Sequence, residues 1–301
     1  MKKIILLASA VLSVCVLIVG CEADVQQPSA KVDAPSPSTQ VPQPISAQTT
    51  AAPVGNYADV NGLHMYYEIH GTGQPLVLLH GAFGTAASFP ILSKDRQVIA
   101  IELQGHGHTA DIDRPLTLEQ MADDTAAVLK QLKIEQADFF GYSLGGNVSL
   151  AVAIRHPNLV RKLAINGSNF GNIEQDYSAE AFEQFKNLPA DFAPSMLKAP
   201  YDKVAPNPKQ WPVLVAKVKQ LGLDSKGFTS EDLQSIKAQV LITIGDRDVV
   251  RAERAVELFR LIPNSQLAIF PGADHIAIFQ SPDRVLPTIN AFLNARQPGT
   301  R

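Results

Sequence analysis

Short runs of consecutive apolar residues, not alternating ones, mark the chain beyond residue 75. They are "LVLLH" (76–80), "QVIAIEL" (97–103), "ADFF" (137–140), "VRKLAIN" (160–166), "QVLITIG" (239–245) and "QLAIFPG" (266–272). A strand that is apolar at successive positions must be buried on both faces, which is the pattern of a parallel sheet covered by helices. Between these runs, apolar residues at 118, 121, 128, 129 and 132, with Thr125 among them, follow a helical period. Further helices are expected at 145–155, about 252–261 and about 283–295. Ahead of the first run, two strands at 57–60 and 63–70 flank Asn61–Gly62, a strong hairpin signal. The pattern predicts an α/β fold with a mostly parallel central sheet and helices on both faces.

The alternation breaks once, over about 170–236. That stretch reads as short helices joined by proline-containing segments, and it holds eight of the chain's twenty aromatic residues. An insertion between strands at the end of a sheet suits a small helical cap over a site. Phe83, Phe170, Met196 and Trp211 are the candidates for an apolar pocket lining, although packing of the insertion on the body accounts for such residues equally well.

The N-terminus has a different character. Lys2 and Lys3 precede an uncharged apolar run from Ile4 to Gly20. At about 17 residues, with Ser9 and Ser13 inside it, the run is short for a membrane span, which needs roughly 20. It reads as a signal peptide over 1–20. It ends in "IVGC", which resembles a bacterial lipobox. That resemblance implies that Cys21 is lipidated and anchors the protein to a bilayer. Residues 21–54 contain no aromatic residue and are rich in Pro, Ser, Thr, Gln and Ala, the composition of an unfolded tether. The folded domain is expected over 55–301, in the bacterial cell envelope, with the outer membrane or the periplasmic face as its place. With Cys15 removed and Cys21 lipidated, no thiol is left for catalysis or metal binding. The net charge of −3 and the absence of a Lys/Arg cluster beyond residue 3 exclude a nucleic-acid partner.

Candidate chemistry centres on "GYSLG" (141–145), a G-x-S-x-G sequence between a strand and a helix. A serine nucleophile needs an imidazole to take its proton and a carboxylate to orient that imidazole. His275 lies past the last strand and is the only histidine after residue 156. The turn after the penultimate strand offers both Asp246 and Asp248, and spacing does not choose between them. The unused one is expected to be solvated or to cap the helix near Ala252. Two backbone N–H groups must face the oxyanion. Leu144, at the start of the helix, and Ala82, after "LLHG", are the candidates.

Taken together, "LLHGAFG", "ELQGHGHT", "GYSLGG", "GDRDVV" and "GADH" resemble, in this order and from about residue 57 to 295, the α/β-hydrolase superfamily. Within it they resemble the small serine hydrolases that include carboxylesterases and haloperoxidase-like enzymes. The family's G-x-x-D-x-[IV] pattern, laid on Gly245, selects Asp248. Asp274 stands where the family often has glycine. Ser143 departs from the aspartate nucleophile of the epoxide-opening and dehalogenating relatives. The resemblance implies that His106 and His108 belong to a structural turn rather than a metal site, and that His80 supports the oxyanion loop. It implies a small-molecule, ester-like substrate and no metal or organic cofactor. Hydrolysis of C–C bonds, lactones or amides, perhydrolysis, and a non-catalytic ligand-binding protein on the same fold are the alternatives.

Overall fold

The computed structural model describes residues 55–88 and 95–295. The expected signal peptide, Cys21 and the tether up to residue 54 lie outside the described residues.

Eight strands form one sheet: β1 (Gly55–Val60), β2 (Leu63–His70), β3 (Gln74–Leu79), β4 (Arg96–Ile101), β5 (Ala137–Tyr142), β6 (Val160–Asn166), β7 (Gln239–Gly245) and β8 (Ser265–Phe270). Their order is β1-β2-β4-β3-β5-β6-β7-β8. The β1–β2 and β2–β4 pairings are antiparallel and the other five are parallel. The hairpin turns at Asn61 and Gly62, both with positive φ (48° and 84°). Backbone of this kind matches the twist of the flanking strands.

The unbroken apolar runs are explained by two cores. Val77, Leu79, Ile99, Ile101 and Phe139 face one side of the sheet and pack with α1 (Leu118–Gln131) and α2 (Leu144–Arg155). Leu76, Leu78, Val98, Ala100 and Phe140 face the other side and pack with Val285, Ile289 and Phe292 of the last helix, Pro282–Asn294. Successive residues of one strand thus enter different cores. A small hydrophobic patch would not require this, but a sheet buried on both faces does.

Between β6 and β7 the chain forms α3 (Ile173–Asp176), α4 (Ala179–Lys186), α5 (Ser195–Val204), α6 (Trp211–Asp224) and α7 (Ser230–Gln234). Polar contacts fasten these helices to the body. Lys217 on α6 donates to Asp111 Oδ2 (2.6 Å) and to the carbonyls of Ile112 (2.8 Å) and Arg114 (2.9 Å). Asp176, fully buried, accepts from the Phe170 N–H (2.9 Å) and from Arg254 Nε (2.6 Å). Arg254 belongs to α8 (Ala252–Leu261). Tyr177 pairs with Val250 in an isolated β-bridge, so the start of the insertion is tied to the turn that carries Asp248. The chain ends in α9 (Ala277–Gln280) and α10 (Pro282–Asn294).

The N-terminal edge of the sheet is closed by charge. Arg96 and Arg161 both pair with buried Asp138, at 2.6 and 2.7 Å. Arg96 and Lys162 also donate to the last carbonyls of α10, at Leu293 (2.6 Å) and Phe292 (2.8 Å), where a helix leaves its acceptors unpaired and favours cations. The opposite edge, at the C-terminal ends of the parallel strands, is left for chemistry. The strand order reverses between β3 and β5, and ligands bind at such a crevice in open α/β sheets.

Candidate active site

Ser143 stands at that reversal, between β5 and α2. Its backbone has φ 51° and ψ −119°, a conformation that side-chain-bearing residues rarely adopt. Close packing around it requires glycine. A Cβ at Gly145 would lie 2.0 Å from the Leu79 carbonyl oxygen, and one at Gly141 would lie 2.4 Å from the Gly145 carbonyl oxygen. The helix therefore starts directly against β3, and the serine is held at the tip of the turn.

His275 reaches the serine from the segment after β8. Its Nε2 lies 3.0 Å from Ser143 Oγ, and its Nδ1 lies 2.7 Å from Asp248 Oδ1. The carboxylate fixes the proton on Nδ1 and leaves Nε2 free to accept from the serine. Burial opposes protonation of this imidazole, but the Asp248 charge and hydrogen bond, with a further contribution from Asp274, outweigh it and hold His275 above the ordinary histidine range. Asp246 plays a different part: its Oδ1 accepts from the Gly272 N–H at 2.6 Å. It is exposed, as expected of the unused aspartate, and does not cap the helix near Ala252. It joins the turn after β7 to the turn after β8, because those parallel neighbours end side by side.

The opposite wall is the loop after β3. Ala82 and Leu144 both line the cavity that contains Ser143. Leu144 is the first residue of α2, where backbone N–H groups have no partner within the helix. His80 braces the loop: its Nε2 accepts from the Leu103 N–H (3.1 Å), so Nδ1 donates to the Gly81 carbonyl (2.8 Å). Burial, with the nearby His106 adding to it, lowers His80 to about 3 and keeps it neutral. Buried Glu102 accepts from the Ala86 N–H (2.9 Å) and the His108 N–H (2.5 Å). His106 hydrogen-bonds the Gln104 carbonyl (2.9 Å), and burial lowers it to about 4. Among the described residues no group of three or more His, Cys, Asp or Glu side chains is arranged to hold a metal.

The cavity measures about 70 Å³. None of the four apolar residues expected to line a pocket is in its wall. Phe83 packs on Phe192 and Trp211 (ring centroids 5.8 and 5.3 Å). Phe170 lies under Arg254, and Trp211 is buried with its Nε1 on the Phe192 carbonyl. Met196 is 51% exposed. Packing of the insertion on the body consumes these rings. The wall is formed instead by Ile173, Phe185, Val218 and Leu221, with Asn147, Asn169 and Tyr177 among its polar members. Sequence reasoning missed these residues. Asn147 lies four residues after the serine and hence on the same face of α2, a legible signal; Asn169 had none. Tyr142 was also missed. Its hydroxyl donates to the His275 carbonyl at 3.0 Å and so steadies the histidine segment.

The chain is similar to known hydrolases over most of its length. The chain is 26% identical over 272 residues to 2-hydroxy-6-oxo-2,4-heptadienoate hydrolase from Pseudomonas putida, covering 81% of this chain and 98% of that protein. It is 27% identical over 270 residues to the serine hydrolase BPHL of Mus musculus, covering 84% and 91%. Among solved structures, a serine hydrolase involved in carbazole degradation (CarC) superposes with a TM-score of 0.66 at 26% identity, covering 81% of this chain and all of that one. The model of the alpha/beta hydrolase family matches residues 76–288, and the chain belongs to that family.

Proposed function

We propose that this protein is a serine hydrolase that cleaves carboxylic esters with short, uncharged acyl groups. The observation that carries the reading is the continuous chain from Ser143 Oγ to His275 to Asp248, at 3.0 and 2.7 Å. Ser143 attacks the ester carbonyl as His275 Nε2 takes its proton. The N–H groups of Leu144 and Ala82 receive the oxyanion. The imidazolium returns the proton to the departing alcohol, and water, activated by the same histidine, releases the acyl group. Asp248 holds the ring and stabilises its charged form. His80 and Glu102 act at a distance, by fixing the loop that presents Ala82.

The names of the relatives favour a second reading, hydrolysis of a C–C bond. The substrate in the name of the Pseudomonas putida relative is a carboxylate, and a carboxylate buried beside the nucleophile calls for a cation. None of the described residues lining this cavity is charged, which favours a neutral ester. A volume of about 70 Å³ also favours a short acyl group, since about 10–15 Å³ on this measure holds one water.

The N-terminal sequence adds a location to this proposal: Cys21 carries a lipid and holds the enzyme to the cell envelope. Replacing Cys21 with Ser is expected to block processing or to release the protein from membranes. Unchanged processing and retention would remove the anchor from the account.

With detergent-solubilised full-length protein and nitrophenyl esters from acetate to palmitate, turnover is expected to be greatest for the shortest acyl groups and to vanish in Ser143→Ala. Turnover of a dienoate with none of any ester would favour the C–C reading.

The acid limb of kcat/KM is the third expectation. Neutral His275 is the base, so activity falls as pH drops through its pKa, and the limb is expected above 6.5. In Asp248→Asn the raising charge is gone, so the inflection moves down and kcat falls by about 10⁴-fold. Asp246→Asn costs far less. Equal losses at the two aspartates would contradict the assignment.

A further inference from the structure

One ring in the cavity wall is carried by a helix with no buried residue. That helix is α4 (Ala179–Lys186), and the ring is Phe185. The helix is a strap held at its two ends. Before it, the Ser178 N–H donates to the Val249 carbonyl (3.0 Å); after it, Lys219 Nζ on α6 donates to the Leu188 carbonyl (3.1 Å). Between these points Phe185 turns toward the cavity and meets the Tyr177 ring edge-on, with centroids 6.3 Å apart.

Gly222, in the last turn of α6, makes room for the Phe185 ring. A Cβ there would lie 2.6 Å from Phe185 Cζ and 2.7 Å from Cε1. Glycine is the poorest helix former apart from proline, so a glycine at this contact serves the close approach of the ring. The other apolar side chains of the wall are anchored. Leu118, Leu144, Ile173 and Val218 are buried in the core, and Tyr177 and Leu221 pack against it. Among the described residues of the wall, Phe185 is the apolar one outside both cores. Close-packed side chains yield little. An acyl chain that outgrows about 70 Å³ therefore competes with this ring for the space over Gly222.

We propose that the Phe185 ring is the stop that sets the acyl-length limit of this cavity. The class it excludes is the longer unbranched apolar acyl chain, whose outer methylene groups need the place of the ring. Removing the ring leaves the bare backbone of Gly222 on one side and an apolar wall of Ile173 and Val218 around it. That space suits methylene groups and offers them burial. This inference rests on the ester-hydrolase reading for its substrates, though the stop can be tested without turnover.

The test is the kcat/KM ratio of nitrophenyl octanoate to nitrophenyl butyrate, on full-length protein and its variants in one detergent. Each methylene newly taken from water is worth about fourfold. The ratio is expected to rise at least tenfold, roughly, in Phe185→Ala and by less in Phe185→Leu. Phe182→Ala alters the same helix outside the cavity wall, where Lys186 Nζ lies 5.6 Å from the ring centroid, and is expected to keep the wild-type ratio. With Ser143-dependent turnover of both esters, an unchanged ratio in Phe185→Ala would overturn the stop and leave the hydrolase reading intact. An equal rise in Phe182→Ala would do the same, since loosening of α4 would then explain it. If Phe185→Ala does not fold, Phe185→Leu decides. If the wild type turns over no ester, the ester reading fails, and the stop is decided by calorimetry with octanamide on Ser143→Ala, with and without Phe185→Ala. Tighter binding without the ring supports the stop. Equal binding, or binding to neither, overturns it.

Discussion

The strained backbone at Ser143 is the constraint on which the rest of the site depends. A φ of 51° with ψ −119° at a residue with a side chain costs on the order of 1–3 kcal/mol and persists only where its surroundings enforce it. They do so here from three sides. The Ser143 N–H donates to the Asn166 carbonyl (2.8 Å), its own carbonyl accepts from the Gly146 N–H (2.9 Å) and from Ser168 Oγ (3.1 Å), and Gly145 lets α2 begin against the end of β3. The serine is thus presented by packing between three strands and one helix, not by a free loop.

Around Ser143, so fixed, the same residue type serves opposite purposes on its two sides. His80 and His275 are both largely enclosed. His80 meets a carbonyl, a backbone N–H and another imidazole, so burial keeps it neutral and it acts as a rigid brace. His275 meets a carboxylate, so it can accept a proton and hold it. The loops that carry the two partners are locked by groups outside the reaction: Asp246 to the turn after β8, Tyr142 to the His275 carbonyl, and the Tyr177–Val250 bridge to the turn of Asp248.

Much of the fold was legible because burial on both faces leaves a direct mark. The runs 160–166 and 239–245 coincide with β6 and β7, and 252–261 with α8. Ser143 and His275 were legible from glycine chemistry and position. Asp248 was not legible from spacing alone, since two aspartates share one turn; a family pattern singled it out, and the structure sets that residue on the histidine. The cavity wall was the least legible part. The expected lining was Phe83, Phe170, Met196 and Trp211, but three of these are spent on packing and Met196 is left at the surface, while other residues of α3, α4 and α6, the Phe185 ring among them, form the wall. Which face of a short helix turns inward depends on contacts such as Lys217 to Asp111, which no local period encodes.

The most direct measurement is the site of covalent labelling by a fluorophosphonate, which requires a base-assisted serine and no particular natural substrate. Peptide mapping of the labelled full-length protein should place the adduct on Ser143, with labelling lost when His275 is replaced by Asn. A folded protein that takes up no label, or takes it up elsewhere, would contradict the account at its centre.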